Sequence, residues 1–289
     1  MSWPGRGVKN FSFYTYLTDN VLHVTVQKLL VEKINELEVL FMLNAELARK
    51  IMSKNFFGVE EWKKFYGVSF TAKQLQVILN VPWSKKLLAG SCPFIQGKLL
   101  SETHILFLGI ERLEGKPLVI RRWYEIKFPE YLGSGFQQRG LSPKFLRESW
   151  PAITENTCKF GWYLMPIVSV PRTEDRGFEE QVHHQWNDLY RVAFSIEEFT
   201  KRILIHHLSG TYGVHNIWSR CQENCVGVKP ERFEVGYFDG GDKAGVMYGL
   251  YVILGPENNV PGNRDEEWIM QNRHQIDSCN LAVVRHHCR

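Results

Sequence analysis

Long apolar runs are missing from this chain. Nowhere do its 289 residues reach the about eighteen consecutive apolar positions that a membrane-spanning helix needs, and the longest stretches, 162–170 and 246–254, have the length of strands. A soluble chain with no membrane partner is expected. Cysteine is sparse: Cys92, Cys158, Cys221, Cys225, Cys279 and Cys288 are the 6 in 289 residues. That density does not make a disulfide scaffold and points to reduced thiols in a cytoplasm. Residues 1–10 lack the basic start and apolar core of a secretory signal, so export by that route is not expected. Glycine and proline do not dominate, and 44% hydrophobic against 23% charged residues excludes a disordered chain. Phosphate-binding loops and dinucleotide fingerprints are absent too; Gly240-Gly241 has neither the motif nor the strand-to-helix context, which argues against the common nucleotide-dependent enzymes.

What is present is an uneven charge. The net charge is +4, but residues 1–150 hold 21 Lys and Arg against 13 Asp and Glu, an excess of eight, while the remaining 14 and 18 leave a deficit of four. The excess concentrates between Trp62 and Lys127. There Lys63, Lys64, Lys73, Lys85, Lys86, Arg121 and Arg122 are interleaved with Trp62, Phe65, Tyr66, Phe70, Trp83, Trp123 and Tyr124. Cations for phosphates and aromatic faces for bases are what a sequence-tolerant nucleic-acid surface uses. The expected interface is Lys63, Lys64, Lys73, Lys85, Lys86, Arg121, Arg122 and Trp123; the alternative is that the rings are core and the lysines merely solvated.

Periodicity supplies the architecture. Leu30, Ile34, Leu37, Phe41, Asn44, Ala48 and Ile51 recur at spacings of four and three, predicting one long helix from Asp19 to about Lys54 whose core stretch is residues 27–52. Its stripe is to be buried in the chain or against a second copy, with Asn44 suited to setting register in a coiled coil. Helices are expected over 59–66, over 72–79 behind a Thr71–Gln74 capping box, and from about 84 to Leu88. Further helices are expected from Ser142-Pro143, over 174–191, and from a Ser195–Glu198 box to Leu208. Strands are expected over 103–110 and 117–124 as a hairpin turning at Glu114-Gly115, over 162–170, and over 232–238 and 246–254 around a turn at 239–244. The sum is an α+β fold, a mixed or antiparallel sheet packed by helices, with a helical arm over 1–56, a globular domain over 57–255 and a loop-rich polar tail over 256–289.

Several short pieces, Phe70-Thr71 through Pro82-Trp83, Glu102-Thr-His104, Gly161-Trp162, Trp218-Ser-Arg-Cys221 and the run from Glu231 to Gly240, resemble an uncharacterised family of bacterial hypothetical proteins. They are scattered from about residue 70 to 255. The resemblance implies a bacterial cytosolic origin and carries no activity, cofactor or catalytic residue.

Two other groupings could carry chemistry. Cys92, with Glu102 and His104 close in sequence, supplies a thiolate, a base and an orienting carboxylate for a hydrolase or transferase. Cys221 and Cys225, with His274 and Cys279 downstream, offer the ligand types of structural zinc, although three residues rather than two separate the pair. No cofactor is favoured, and incidental buried cysteine is the simpler account. Asp239 and Asp242 suit a tight turn better than a cation loop. His183-His184 and His206-His207 sit in expected helices, where adjacent side chains diverge and cannot chelate together. The leading expectation is a non-enzymatic binding protein for nucleic acid. A Cys/His enzyme and self-association through residues 27–52 are the alternatives.

Overall fold

The computed structural model describes residues 43–127, 151–171, 173, 178–183, 189–210, 217–225, 231–238, 249–256, 278–285 and 287. The chain divides into two units, Met1–Met42 and Leu43–Arg289, and the description concerns the second. Its helices are α1 (Ala45–Met52), α2 (Val59–Tyr66), α3 (Ala72–Ile78), α4 (Lys85–Leu88), α5 (Leu100–Thr103), α6 (Ile120–Lys127), α7 (Pro151–Thr154), α8 (Phe178–Val182) and α9 (Ser195–Ser209). Its strands are β1 (Leu43–Asn44), β2 (Phe56–Phe57), β3 (Asn80–Val81), β4 (His104–Gly109), β5 (Arg112–Leu113), β6 (Lys116–Pro117) and β7 (Gly161–Pro166) in the first part. The second part adds β8 (Tyr190–Val192), β9 (Ile217–Cys225), β10 (Glu231–Phe238), β11 (Gly249–Pro256), β12 (Ser278–Leu281) and β13 (Val283–Arg285). The fold is α+β.

The near-continuous apolar run His-Ile-Leu-Phe-Leu-Gly makes β4 the middle strand of the sheet β2-β4-β7, buried at every position. It pairs antiparallel with β7, from His104↔Pro166 to Gly109↔Gly161, and parallel with β2. Gly109 is required there, because a Cβ would run into the Tyr163 ring and the Lys159 carbonyl. The second sheet has the order β11-β10-β9-β12, with β12 parallel to β9 and the other pairs antiparallel.

Helix α9 is buried at every position from Ser195 to Ile205. It touches β9, β10 and β11 of one sheet and β4 of the other, and only its last turn, from His206, is open to water. A helix so placed would ordinarily be apolar all round, yet it carries four charged side chains, and each has a partner. Glu198 accepts from Arg202 Nε at 2.9 Å and pairs with Lys201 Nζ at 2.6 Å. Lys201 also donates to the Pro166 carbonyl, and Arg202 to Ser219 Oγ. Glu197 accepts two bonds from Arg191, at 2.8 and 2.6 Å. Burial alone would raise the Glu198 carboxyl, but Lys201 and Arg202 hold it below the usual carboxylate range.

Several sequence expectations change. The helix over 27–52 is not continuous: Leu43 and Asn44 form a strand antiparallel to Asn80 and Val81. Asn44 is the N-cap of α1, its side chain accepting from Glu46 N at 2.7 Å. A short amide stabilises a free helix N-terminus better than it fills an apolar seam. Residues 27–42 lie outside the described residues. Of the later stripe positions, Ala48 is buried within the second unit and Ile51 is partly buried against its core.

Within 117–124 only Pro117 belongs to a strand, and the residues from Ile120 onward form a helix instead of a hairpin arm. Ile120, Trp123 and Tyr124 fall three and four apart and are buried, which is the period of α6. The turn at Glu114-Gly115 does form, with φ of 52° and 75°, but joins two-residue strands only. Within 174–191, α8 is short and Tyr190 to Val192 form a strand against β13. The Ser195 cap shifts by one residue: Phe194 is the N-cap, its N–H bonding the Glu197 carboxylate, while Ser195 donates through N–H and Oγ to Glu223. Residues 217–225, which showed no strand signal, are β9, and the tail over 256–289 supplies β12 and β13. The helix expected from Ser142 and the turn over 239–244 lie outside the described residues.

The helices over 59–66, 72–78 and 85–88 lie where the caps and periods predict. Thr71 and Gln74 cap each other reciprocally at the start of α3. Strands β10 and β11 pair antiparallel from Glu231↔Pro256 to Phe238↔Gly249, as the expected hairpin requires.

Candidate nucleic-acid interface

The aromatic residues of the basic stretch go mainly to the core. Trp62, Trp83 and Trp123 are almost wholly buried. Trp62 donates through Nε1 to the Leu108 carbonyl at 2.7 Å, and Trp123 to Thr200 Oγ1 at 3.0 Å. Neither indole can stack on a base. Arg122 is held by Glu114 at 2.7 Å and Glu125 at 2.9 Å. Lys63, Lys64, Lys73, Lys85, Lys86 and Arg121 are exposed, and among the described residues none of them forms an ion pair.

Two rings of the stretch remain half-buried at the end of α2, and there cations and aromatic faces do meet. Tyr66 OH lies 2.6 Å from His207 Nε2. The Phe65 ring lies 4.4 Å from the His207 ring, centroid to centroid. Lys127 Nζ sits 4.9 Å over the Tyr66 ring, and Lys64 Nζ 5.0 Å over Phe65. His206 adjoins His207 with centroids 6.3 Å apart. Behind them Tyr66 rests on Trp62 and Trp123, so the buried indoles back the surface group.

The sequence builds this spot by ending two helices at it. Helix α2 stops at Gly67, whose φ of 65° closes the helix through a bond from its N–H to the Lys63 carbonyl at 3.0 Å. Helix α9 stops at Gly210 in the same way, φ 77°, its N–H bonding the His206 carbonyl. Both last turns carry basic groups, Lys63 and Lys64 in one and His206 and His207 in the other. Burial, then Lys127 and His206, pushes His207 down to about 4. Burial followed by Lys127 lowers His206, and burial lowers Lys127. Among the described residues no carboxylate pairs with Lys63, Lys64 or Lys127. Sequence reasoning set the two histidines aside as a divergent pair. The readable signal was that His206 and His207 immediately precede a helix stop, as Lys63 and Lys64 do.

The second grouping is assembled in part. Cys92 lies in a loop whose neck is closed by a bridge between Ser91 and Leu99, and its sulfur accepts from Phe94 N and Ile95 N, each at 3.3 Å. Phe94 stacks on His104 with centroids 5.6 Å apart and on Tyr190 at 5.0 Å. His104 is wholly buried, and both ring nitrogens are engaged: Nδ1 at 3.0 Å from Thr103 Oγ1, Nε2 at 2.8 Å from Tyr190 OH. Thr103 gives its one hydroxyl proton to the carbonyl of Leu99 or Leu100, so it can only accept from Nδ1–H. Nε2 is then the acceptor for Tyr190, whose oxygen accepts in turn from Arg285 at 3.1 Å. Burial, with Arg285 and Lys201 adding to it, pushes His104 down to about 3, and burial pushes Tyr190 up to about 12. Glu102 is turned away. Its carboxylate accepts from Leu99 N at 2.7 Å and faces Lys98, fully outside this network.

The zinc-type residues do not share a loop. Cys221 is wholly buried in β9, and burial raises its thiol far above the usual value. Cys225 lies four positions further along the same strand. Cys279 lies on β12 opposite Trp218, and His274 is outside the described residues. No three His, Cys, Asp or Glu side chains among the described residues gather as metal ligands. Nor is any described helix long and apolar enough to cross a membrane.

No family model matches the chain, and neither a curated protein nor a solved structure does.

Proposed function

We propose that this chain is a non-enzymatic binding protein for nucleic acid, using the cation and aromatic cluster at the ends of α2, α6 and α9. The supporting observation is that Lys63, Lys64 and Lys127 lack a carboxylate partner among the described residues, while Lys64 and Lys127 stand over the half-buried rings of Phe65 and Tyr66, which adjoin His207. Free cations release counterions when they meet phosphates, and partly open rings take bases without reading sequence. Lys73, Lys85, Lys86 and Arg121 extend the electrostatic footprint, and Trp123 serves behind Tyr66 rather than against a base. The cytoplasm of a bacterium is the proposed setting; the free thiols of Cys92, Cys158 and Cys221 agree with a reducing compartment.

Fluorescence anisotropy with single- and double-stranded DNA and RNA, at low salt and at about 200 mM salt, tests this. Binding that weakens steeply with salt, and weakens again in Lys63→Glu/Lys64→Glu, is expected. No binding at low salt removes the reading.

A second reading, a Cys/His hydrolase or transferase, rests on the Phe94 ring that joins the Cys92 loop to His104. Against it stand the two occupied nitrogens of His104 and the displaced Glu102. Fast, selective alkylation of Cys92 at neutral pH would favour it; a rate matching an ordinary free thiol would not.

A further inference from the structure

The two histidines of the cluster give this interface a property that lysine alone would not. In the free protein burial and the neighbouring Lys127 lower both imidazoles, His207 to about 4. His207 faces Tyr66 and, across the Phe65 ring, Lys64 from α2; it faces Lys127 from α6 and His206 from its own helix. Apart from the neutral Tyr66, every one of these groups is cationic or becomes so in acid. The carbonyls at the end of α9 favour an imidazolium, and Gly210 N–H already engages that of His206. A proton on either ring therefore adds positive charge where positive charge is already crowded.

A phosphate shifts that balance. Placed against Lys64, Lys127 and the histidines, it offsets part of the crowded positive charge, and an imidazolium becomes a further charged donor to its oxygens. We propose that nucleic-acid binding at this cluster takes up protons on His206 and His207, so that the interface tightens as the pH falls. This inference rests on the nucleic-acid reading and names the regulation of the same site.

The test titrates a fluorescein-labelled oligodeoxythymidylate against the full chain at low salt, at about pH 7.5 and about pH 5.5. A histidine that is neutral in the free protein and returns to an ordinary imidazole value in the complex strengthens binding about tenfold over that interval. In His206→Gln/His207→Gln the ratio of the affinities at the two pH values should fall to about one, whatever the affinity of that variant at pH 7.5. Equal affinities at the two pH values, or a gain that survives in the folded variant, overturn the coupling and leave the nucleic-acid reading standing. Absence of binding at both pH values overturns both. Should the variant not fold, calorimetry of the wild-type complex in two buffers of different ionisation enthalpy decides: net proton uptake supports the coupling, and none overturns it.

Discussion

Tyr66 OH and His207 Nε2 lie 2.6 Å apart although 141 positions separate them in the chain. That single contact ties the last turn of α2 to the last turn of α9, and so ties a helix of the basic first half to the one buried between the two sheets. It also explains why the cations of the cluster are close together: Lys64 and Lys127 are each held over a ring that touches or flanks His207.

Stability should fall as the solution is acidified below about pH 6.5. Above that value folded and unfolded chains both hold His104 neutral. Below it the unfolded chain takes up a proton that the folded chain refuses until about 3, so the folded state loses ground throughout the window. Because His104 is buried, the loss by pH 3 is on the order of 4 kcal/mol from this residue. His207 adds to it in the same direction. Urea midpoints measured across the window should drop with pH, and a flat profile between 6.5 and 4 would contradict the buried neutral imidazole.

Tyr190→Phe removes the proton donor to His104 Nε2 and the acceptor of Arg285 while leaving the ring that packs on Phe94. A buried nitrogen left without its partner costs about 1–3 kcal/mol. The thermal midpoint should drop accordingly, and the combination with His104→Phe should cost less than the sum of the two. Additive losses would mean that the two groups do not act as a pair.

Glu198→Gln leaves Lys201 and Arg202 as two buried cations without their shared anion. Breaking a buried ion group in this way costs about 3–5 kcal/mol. Lys201→Met should cost less, since Glu198 keeps Arg202 and the methylene stem is replaced by apolar atoms. Denaturant unfolding of both variants checks the order, and the reverse order would show that the network hinges on Lys201.

Gly109→Ala tests the centre of the first sheet. The added methyl meets the Tyr163 ring, which stacks on Phe107 at 5.1 Å, and the carbonyl of Lys159. Overpacking at such a site costs about 1–3 kcal/mol, whereas an alanine at an exposed strand position would be nearly silent. An unchanged denaturation midpoint would show that the Tyr163 ring moves aside freely.

Local signals were legible in the sequence and distant pairings were not. Thr71 and Gln74 announce the start of α3, and the apolar run of β4 announces a buried central strand. Each is decided by neighbours within a few positions. Residues 117–124 misled because Leu118, Val119 and Ile120 carry β-branched and apolar bulk that suits a strand, while Trp123 and Tyr124 pack only when wound into α6. Strand β9 carried no alternation that separates it from a loop; it is a strand because β10 and β12 lie on either side of it. The site was half-legible for the same reason. Lys63 and Lys64 stood out as charge, but His206, His207 and Lys127 join them only through tertiary packing. Trp123 was assigned to the surface because composition does not say which side of a helix faces inward.

The placement of α9 also bears on how the second unit comes into being. The helix touches strands that begin before it, at β4, and strands completed well after it, at β10 and β11. Its charged residues find their partners on both sides of that interval, Lys201 at Pro166 and Arg202 at Ser219. While the chain is being synthesised, α9 therefore emerges with the partners of Glu197 and Lys201 already made, but with Arg202 short of Ser219 and one side uncovered until later strands close over it. A nascent chain stopped at Gly210 has no second sheet, so the step that completes the fold belongs to the last strands made.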